Sequence, residues 1–178
     1  MRKLEENSWI FPDPHFGHRK LVERGFRPEG FEAKIQNSWI ENVKSDDVVY
    51  CLGDVCMGRE AEMHETYVRP MPGYKILLRG NHDKQRDAWY LSHGWDEVHM
   101  VLKLTATIKG RHTRILLSHI PQADDDSFDV NLHGHFHDDS HRSETPEMVA
   151  ILCKKHHLLA LEHTNYQLLQ FPTFLSTI

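Results

Sequence analysis

Several features are scarce in this 178-residue sequence, and their scarcity excludes some classes of protein. Its 3 cysteines are too few, and odd in number, for a disulfide-stapled secreted domain. No two of them form the CxxC pair that is typical of structural zinc sites. We therefore interpret Cys51, Cys56 and Cys153 as buried small hydrophobic side chains in a protein of a reducing compartment.

Long apolar runs are also missing. The first ten residues lack the apolar segment of a signal peptide, and the longest apolar stretches, such as 148–153, are far shorter than the roughly 20 residues that span a bilayer. No charge of one sign dominates either, since the formal net charge is -5 at pH 7. We expect a cytoplasmic protein without a membrane partner, whose bulk charge says little about what it binds.

Histidine, by contrast, is abundant. The 15 histidines outnumber both the 10 glycines and the 8 prolines. The rest of the composition, with 39% hydrophobic and 26% charged residues, is ordinary for a globular protein. The length suits one domain, so we expect a single domain over residues 1–178.

Hydrophobic patterning predicts an α/β domain. Short apolar runs predict buried strands at 8–11, 47–52, 75–78 and 130–132, and alternation around a Lys109-Gly110 turn predicts a hairpin within 98–117. Helices are predicted at 31–44, 60–68 and 84–92. Residues 148–153 and 158–162 could be strand or helix; we favour strands there, with residues 166–169 packing back on the domain.

Five short polar motifs follow predicted strands. They are Asp13-Pro14-His15, Gly53-Asp54, Gly80-Asn81-His82-Asp83, Ser118-His119 and Gly134-His135-Phe136-His137. Because ligands bind at the carboxyl ends of strands in open α/β sheets, we expect these motifs to converge. Oxygen and nitrogen donors without sulfur suit Mn(II), Fe(II), Co(II), Ni(II) or Zn(II). The donors are more than one ion can take, so we expect two divalent ions that share a carboxylate.

Paired ions of this kind are a usual device for phosphoryl hydrolysis. A metal-bridging hydroxide is the expected nucleophile at neutral pH, and the site stays positive enough for an anionic substrate after its carboxylates and the hydroxide are counted. His82 has Asp83 beside it in the sequence. A neighbouring carboxylate favours the imidazolium form, which a general acid needs to protonate a leaving group.

The ordered motifs resemble those of the calcineurin-like metallophosphoesterases. The surroundings DPHFGH, LLRGNHD and LHGHFH are similar to the small single-domain bacterial and phage members, and the resemblance spans about residues 8–140. It implies a four-layer αββα sandwich with mixed sheets and the site at the carboxyl ends of strands. It further implies that one ion, with manganese the first expectation, is held by Asp13, His15, Asp54 and His137. Asp54 then bridges to a second ion held by Asn81, His119 and His135, and His82 resembles the substrate-side acid, oriented by Asp83.

Four positions in or next to the motifs need a further comment. Pro14 departs from the family pattern, and we expect its fixed φ to be harmless because the strand end is extended and a ligand lies on either side. His18, Arg79 and Asn81 are candidates for binding the substrate phosphate. A solvated histidine and a surface arginine are the alternatives for the first two.

The remaining histidines are interpreted as incidental. His133 is expected to be a strand-end residue rather than a ligand. The others are expected on the surface: His64, His93, His99, His112, His141, His156, His157 and His163.

The expected substrate is a small phosphate mono- or diester. A loop with four aspartates, at positions 124, 125, 126 and 129, argues against a long polyanion, whereas Arg19, Lys20, Arg24, Arg111 and Arg114 keep nucleic acid open. Two alternatives therefore stand: a phosphodiesterase or nuclease that acts on nucleic acid with the same metal core, and a non-catalytic metal-binding scaffold. The oligomeric state is left open.

Overall fold

Two five-stranded sheets form the framework of the chain in a computed structural model, which describes residues 1–138 and 146–178. The strands are β1 Arg2–Lys3, β2 Ser8–Phe11, β3 Val48–Cys51, β4 Tyr74–Leu78, β5 Glu97–His99, β6 Val101–Ile108, β7 Arg111–Ser118, β8 Val130–His133, β9 His156–Leu158 and β10 Leu169–Gln170. The helices are α1 Arg19–Glu23, α2 Phe31–Asn42, α3 Glu60–Tyr67, α4 Asp87–Ser92, α5 Pro146–Ala150 and α6 Phe171–Leu175, with a 3₁₀ turn at Leu161–Thr164.

Both sheets mix parallel and antiparallel pairs. The first has the order β10-β2-β3-β4-β5, in which β2 to β5 are parallel and β10 is antiparallel to β2. The second has the order β1-β6-β7-β8-β9 and contains the antiparallel hairpin β6-β7. Lys109 and Gly110 turn this hairpin with φ angles of 49° and 78°, as the twist of a two-residue loop favours. The predicted α/β class with mixed sheets is confirmed at this level.

The two sheets pack face to face. Ile10 and Tyr50 from the first sheet share a buried cluster with Leu117 from the second. On the opposite face of the first sheet, Val49 packs in a second cluster with Trp39 of α2. Because both faces of these central strands are covered, successive side chains are all apolar, which explains their continuous hydrophobic runs in the sequence.

The outer face of the second sheet has a thinner cover. Leu116 and Asn131 are buried there, and the Gln122 amide N–H donates to Asn131 Oδ1 at 2.9 Å. The Phe128 ring lies 5.9 Å from that of His156. Helix α5 buries none of its residues. Within the described ranges, loop side chains rather than a packed helix therefore cover this face.

The last third of the chain differs from expectation. The strand predicted at 148–153 is wrong, because Pro146–Ala150 is helical. The strand predicted at 158–162 is wrong beyond Leu158, where β9 ends, and a 3₁₀ turn begins at Leu161. Apolar runs this short carry too little periodicity to separate the two states. The packing expected at 166–169 is confirmed, since Leu168 is buried and β10 pairs with β2. No helix in the described ranges has the length and apolar character needed to cross a bilayer.

Two expectations about burial are wrong. Cys153 is exposed, whereas Cys51 and Cys56 are buried as predicted. His64 is 1% exposed instead of lying on the surface. Its Nδ1 donates to the Glu60 carbonyl at 2.9 Å, and its ring lies 5.0 Å from that of Trp89. The other histidines expected on the surface are exposed or partly buried, namely His93, His99, His112, His156, His157 and His163; His141 lies outside the described residues.

The buried His64 should make stability depend on pH. Burial lowers the pKa of His64 to about 4, so the unfolded chain binds more protons than the folded chain between about pH 6.5 and pH 4. The free energy of unfolding therefore falls as the pH drops through this range, and His64 should account for about 2 kcal/mol between pH 7 and pH 5. Measured by urea unfolding, the free energy of unfolding of His64→Gln should fall correspondingly less from pH 7 to pH 5 than that of the unaltered protein. Equal losses in both proteins would contradict this.

Candidate metal centre

The five polar motifs meet where the two sheets adjoin. Asp13, Asp54 and Asn81 follow the neighbouring parallel strands β2, β3 and β4 of the first sheet. His119 and His135 follow the neighbouring parallel strands β7 and β8 of the second. All the predicted metal ligands are buried except Asn81, which is partly exposed.

Two groups of three buried side chains could each hold a metal ion. They are Asp13, His15 and His137, and Asp54, His119 and His135; within each group the ligand atoms lie within 4.8 Å of one another. Asn81 adjoins the second group, with its Oδ1 2.9 Å from His119 Nε2. Asp54 lies between the groups, because its Oδ2 is 3.7 Å from His15 Nε2. The structure thus brings together all seven predicted ligands.

Unpaired carboxylate oxygens support this interpretation. Asp13 Oδ1 and Asp54 Oδ2 are buried and have no hydrogen-bond partner in the described chain. Asp54 Oδ2 lies 3.4 Å from His119 Nε2 and 3.7 Å from His15 Nε2, which is longer than a normal hydrogen bond. Atoms that share an ion through bonds of about 2.0–2.2 Å are separated by such distances. The residues therefore fit a metal ion.

Glycines make room for the other oxygen of each carboxylate. Asp13 Oδ2 accepts from the His135 amide at 2.9 Å, and Asp54 Oδ1 accepts from the His82 amide at 2.8 Å. A Cβ atom at Gly134 would overlap Asp13 Oδ2, and one at Gly80 would overlap Asp54 Oδ1. Glycine is thus required at positions 80 and 134 because a carboxylate oxygen lies where a side chain would begin. Backbone freedom is only a secondary reason.

Backbone strain is concentrated at the ligands. Five of them have left-handed φ angles: Asp13 (48°), His15 (48°), Asp54 (53°), His135 (70°) and His137 (51°). Each such residue costs about 1–3 kcal/mol, which the surrounding structure must offset. The expectation of an extended chain around Pro14 is therefore wrong. Asp13 and His15 nevertheless lie in one group on either side of it.

His119 carries the positive charge of the metal-free centre. Its Nδ1 donates to the Leu52 carbonyl at 2.8 Å, so its Nε2 faces Asn81 and Asp54. Burial lowers the pKa of His119, but Asp13, Asp54 and the Leu52 carbonyl outweigh burial and raise it to about 9. A protonated His119 thus balances charge among the buried carboxylates.

His82 and Asp83 differ in burial and in their partners. The His82 side chain is 38% exposed, and its Nε2 lies 3.9 Å from Asp54 Oδ2. The prediction that Asp83 orients His82 is wrong. The buried Asp83 carboxylate instead accepts from the amides of Gly80 (2.7 Å), Asp54 (2.8 Å) and Val55 (3.1 Å). Asp83 therefore ties together the loops after β3 and β4.

A pocket of about 210 Å³ opens beside the first group. Its lining is His15, His18, Lys20, Leu21, Arg24, Phe26, His82 and His137. His18 is thus placed where the prediction requires it, with its ring 5.4 Å from that of His15. Arg79 does not line this pocket. It lines a depression with Asn81 and His119, and its guanidinium donates to Asp87 Oδ1 at 3.0 Å and to the Asp83 carbonyl at 2.8 Å.

The four-aspartate loop contributes nothing to the lining of this pocket. Three of its acids have cationic partners: Asp129 pairs with Arg114 at 2.9 Å, and Lys155 pairs with Asp124 at 2.7 Å and with Asp126 at 3.5 Å. The loop therefore does not set the charge next to the proposed site.

Comparison with known proteins places the chain in a phage family. It is 31% identical over 156 residues to the Gene 66 protein of Mycobacterium phage D29, which covers 74% of this chain and 78% of that protein. The Gene 66 protein of Mycobacterium phage L5 is also 31% identical, over 160 residues, covering 74% of this chain and 77% of that protein. The chain belongs to the family of these Gene 66 proteins.

Two less similar proteins complete the comparison for this Gene 66 family member, and one of them has a solved structure. An uncharacterized protein of Methanocaldococcus jannaschii is 29% identical over 89 residues, which are 47% of this chain and 48% of that protein. A crystal structure of a protein of unknown function from Aquifex aeolicus superposes with a TM-score of 0.64 at 24% identity, covering 91% of this chain and 94% of that chain. This likeness supports a shared fold. No family model matches the chain.

Two residues that support the candidate ligands of this Gene 66 family member are missed by sequence reasoning. The buried Arg27 donates to the carbonyls of Asp13 (2.9 Å) and Pro14 (3.0 Å), and its Nε donates to Glu162 Oε1 at 2.8 Å. The same oxygen lies 3.3 Å from His137 Nδ1, and Arg27 Nη2 lies 3.2 Å from that nitrogen, so Arg27 and Glu162 together hold the His137 ring from the buried side. No local pattern marks either residue, since they lie far apart in the chain and outside the motifs.

Glu162 should control one metal ion and not the other. Burial alone would raise its pKa, but His137 and Arg27 lower the pKa of Glu162 to about 2, so it accepts as a carboxylate. Because such partners fix the orientation of a ligating histidine, Glu162→Gln should weaken one of two Mn(II) sites about 10–100-fold and spare the other. Calorimetric titration of the metal-free protein measures both.

The matched control is Glu65→Gln, which removes a carboxylate paired with Arg69 on the exposed face of α3. It should keep both affinities. Two unchanged affinities in Glu162→Gln would exclude the role of Glu162 in positioning His137.

Proposed function

We propose that this protein is a dinuclear metallophosphoesterase that hydrolyses a small phosphate mono- or diester. One observation carries the proposal: two buried His/Asp groups, joined at Asp54, adjoin a pocket that His82 lines. Phosphoryl hydrolysis commonly uses two metal ions with one site for the attacking oxygen and one for the leaving oxygen. The arrangement supplies the ligands for both ions and an acid next to them.

The proposed ions are two divalent cations per chain, Mn(II) first, with Fe, Zn, Ni or Co as alternatives. Asp13, His15, Asp54 and His137 would hold one, and Asp54, Asn81, His119 and His135 the other. When bound, such ions neutralise charge on the phosphoryl group and make water a nucleophile at neutral pH. The carboxylate, amide and imidazole donors without thiolate favour this group of metals.

His82 is the proposed general acid. Its side chain reaches the pocket and solvent, and its Nε2 lies 3.9 Å from Asp54 Oδ2, next to both ligand groups. In hydrolysis a water oxygen forms the new bond to phosphorus, the bond to the leaving oxygen breaks, and that oxygen takes the proton from His82 Nε2. Asp83 would act through the loops it ties together rather than on the imidazole itself.

The finer fold assignment is also proposed. The motif order supports the four-layer αββα sandwich of the calcineurin-like metallophosphoesterases. Two facing sheets and the helical layer that includes α2 are consistent with three of its layers. The fourth layer rests on the resemblance.

A nuclease with the same metal core is the second candidate, because Lys20 and Arg24 line the pocket and polyanions bind through such cations. The pocket volume of about 210 Å³ is below the range of about 300–1,000 Å³ for drug-sized ligands, which favours a small ester. A non-catalytic scaffold is less favoured, because the seven candidate ligands come together and His82 lines the adjoining pocket.

Hydrolysis should depend on two bound ions. Metal-free protein refilled with Mn(II) should bind two ions per chain and hydrolyse 4-nitrophenyl phosphate, bis(4-nitrophenyl) phosphate or both, measured by nitrophenolate release. A diester preference above tenfold, about 1.4 kcal/mol in transition-state discrimination, would turn the assignment to a phosphodiesterase. Two bound ions without hydrolysis of either ester would favour the scaffold.

The effect of removing the His82 imidazole on the rate should depend on the leaving group of the substrate. His82→Gln should lower kcat about 10²–10⁴-fold on an alkyl phosphate, whose leaving oxygen needs a proton, and much less on 4-nitrophenyl phosphate. Two Mn(II) ions should still bind. His112→Gln, at an exposed position on β7, is the control and should match the unaltered protein. Equal losses on the two substrates would contradict the acid role.

A further inference from the structure

The pocket next to the metal centre has a cationic wall. Lys20 and Arg24 on this wall are exposed side chains that line the pocket, and neither has an ion-pair partner in the described chain. Their neighbour Arg19 only reaches Glu29 at 3.9 Å. Residues 18–24 therefore place unpaired positive charge beside the site in a chain whose net charge is -5.

The opposite side of the centre is different. There a depression is lined by Asn81 and His119 together with the apolar side chains Met100, Val101 and Ile120. Met100 and Val101 are exposed, and the lining also includes Arg79, whose guanidinium is engaged by Asp87. The centre thus has a cationic side and a largely apolar side.

The proposed acid role of His82 determines which part of a substrate lies on the cationic side. Because a general acid must lie within hydrogen-bond reach of the leaving oxygen, the leaving group extends into the pocket that His82 lines. Leu21 and Phe26 give this pocket an apolar wall, and Lys20 and Arg24 give it charge. Its volume of about 210 Å³ admits a small organic group rather than a large one.

We propose that the leaving group of the substrate is a small organic alcohol that bears a second negative charge, bound by Lys20 and Arg24. The inference rests on the proposed function, since the acid role of His82 assigns the leaving group to this pocket. Ion pairs at exposed side chains are weak and are screened by salt, so the preference should be modest and should weaken as the salt concentration rises.

An isosteric pair of substrates tests this. The phosphate monoesters of 3-hydroxybenzoate and 3-hydroxybenzamide differ in the charge of the leaving group and hardly in its shape. The Mn(II)-loaded protein should favour the carboxylate ester about three- to tenfold in kcat/KM at low salt, and the ratio should fall as salt rises. In the Lys20→Gln, Arg24→Gln double variant the ratio should fall towards one.

The control is Lys44→Gln, because Lys44 is an exposed residue ahead of β3, at the end of the sheet away from the motifs. It should keep the ratio. Hydrolysis of both esters with equal kcat/KM would overturn the inference and leave the proposed function standing. Hydrolysis of neither ester by protein with two bound ions would overturn both. Faster turnover of a single-stranded oligonucleotide than of either ester would overturn the inference that the leaving group is small.

Discussion

The burial of two carboxylates between the sheets is the constraint on which the rest of the structure depends. Asp13 and Asp54 are 1% and 0% exposed, and an ionised carboxylate without compensation is strongly destabilising in such a place. One oxygen of each accepts a backbone N–H, from His135 and His82. The other oxygen has no hydrogen bond in the described chain. Positive charge, from protonated His119 or from bound cations, is what can balance it.

The backbone around the centre follows from this requirement. Regular strands point side chains alternately to the two faces, so a ligand can turn towards the centre only where the strand stops. The ligands lie just after β2, β3, β4, β7 and β8, and five of them take left-handed φ angles. Buried clusters on both faces of the first sheet supply the rigidity that holds such strained residues in place.

Support for the centre is uneven around it. Behind the first group, Arg27 and Glu162 fasten the Asp13-Pro14 turn and His137 from the buried side. On the open side, His82 stays partly exposed and α1 brings its cations to the pocket. The buried side thus holds ligands at fixed positions, and the open side offers charge to an incoming anion. This division suits the proposed hydrolysis of a small anionic ester.

The sequence by itself indicated the central strands and the order of the motifs, because apolar runs and polar strand ends are local patterns. The division of the ligands into two groups came from the family resemblance that the motif order carries. Sequence reasoning failed where local pattern is weak or misleading. The apolar run at 148–153 contains helix, His64 is buried by Trp89, and Asp83 binds the backbone rather than His82. Only the tertiary structure joined Arg27 to Glu162 and placed α1 beside His82. Those contacts link distant parts of the chain, and no periodicity or motif records which distant segments will meet.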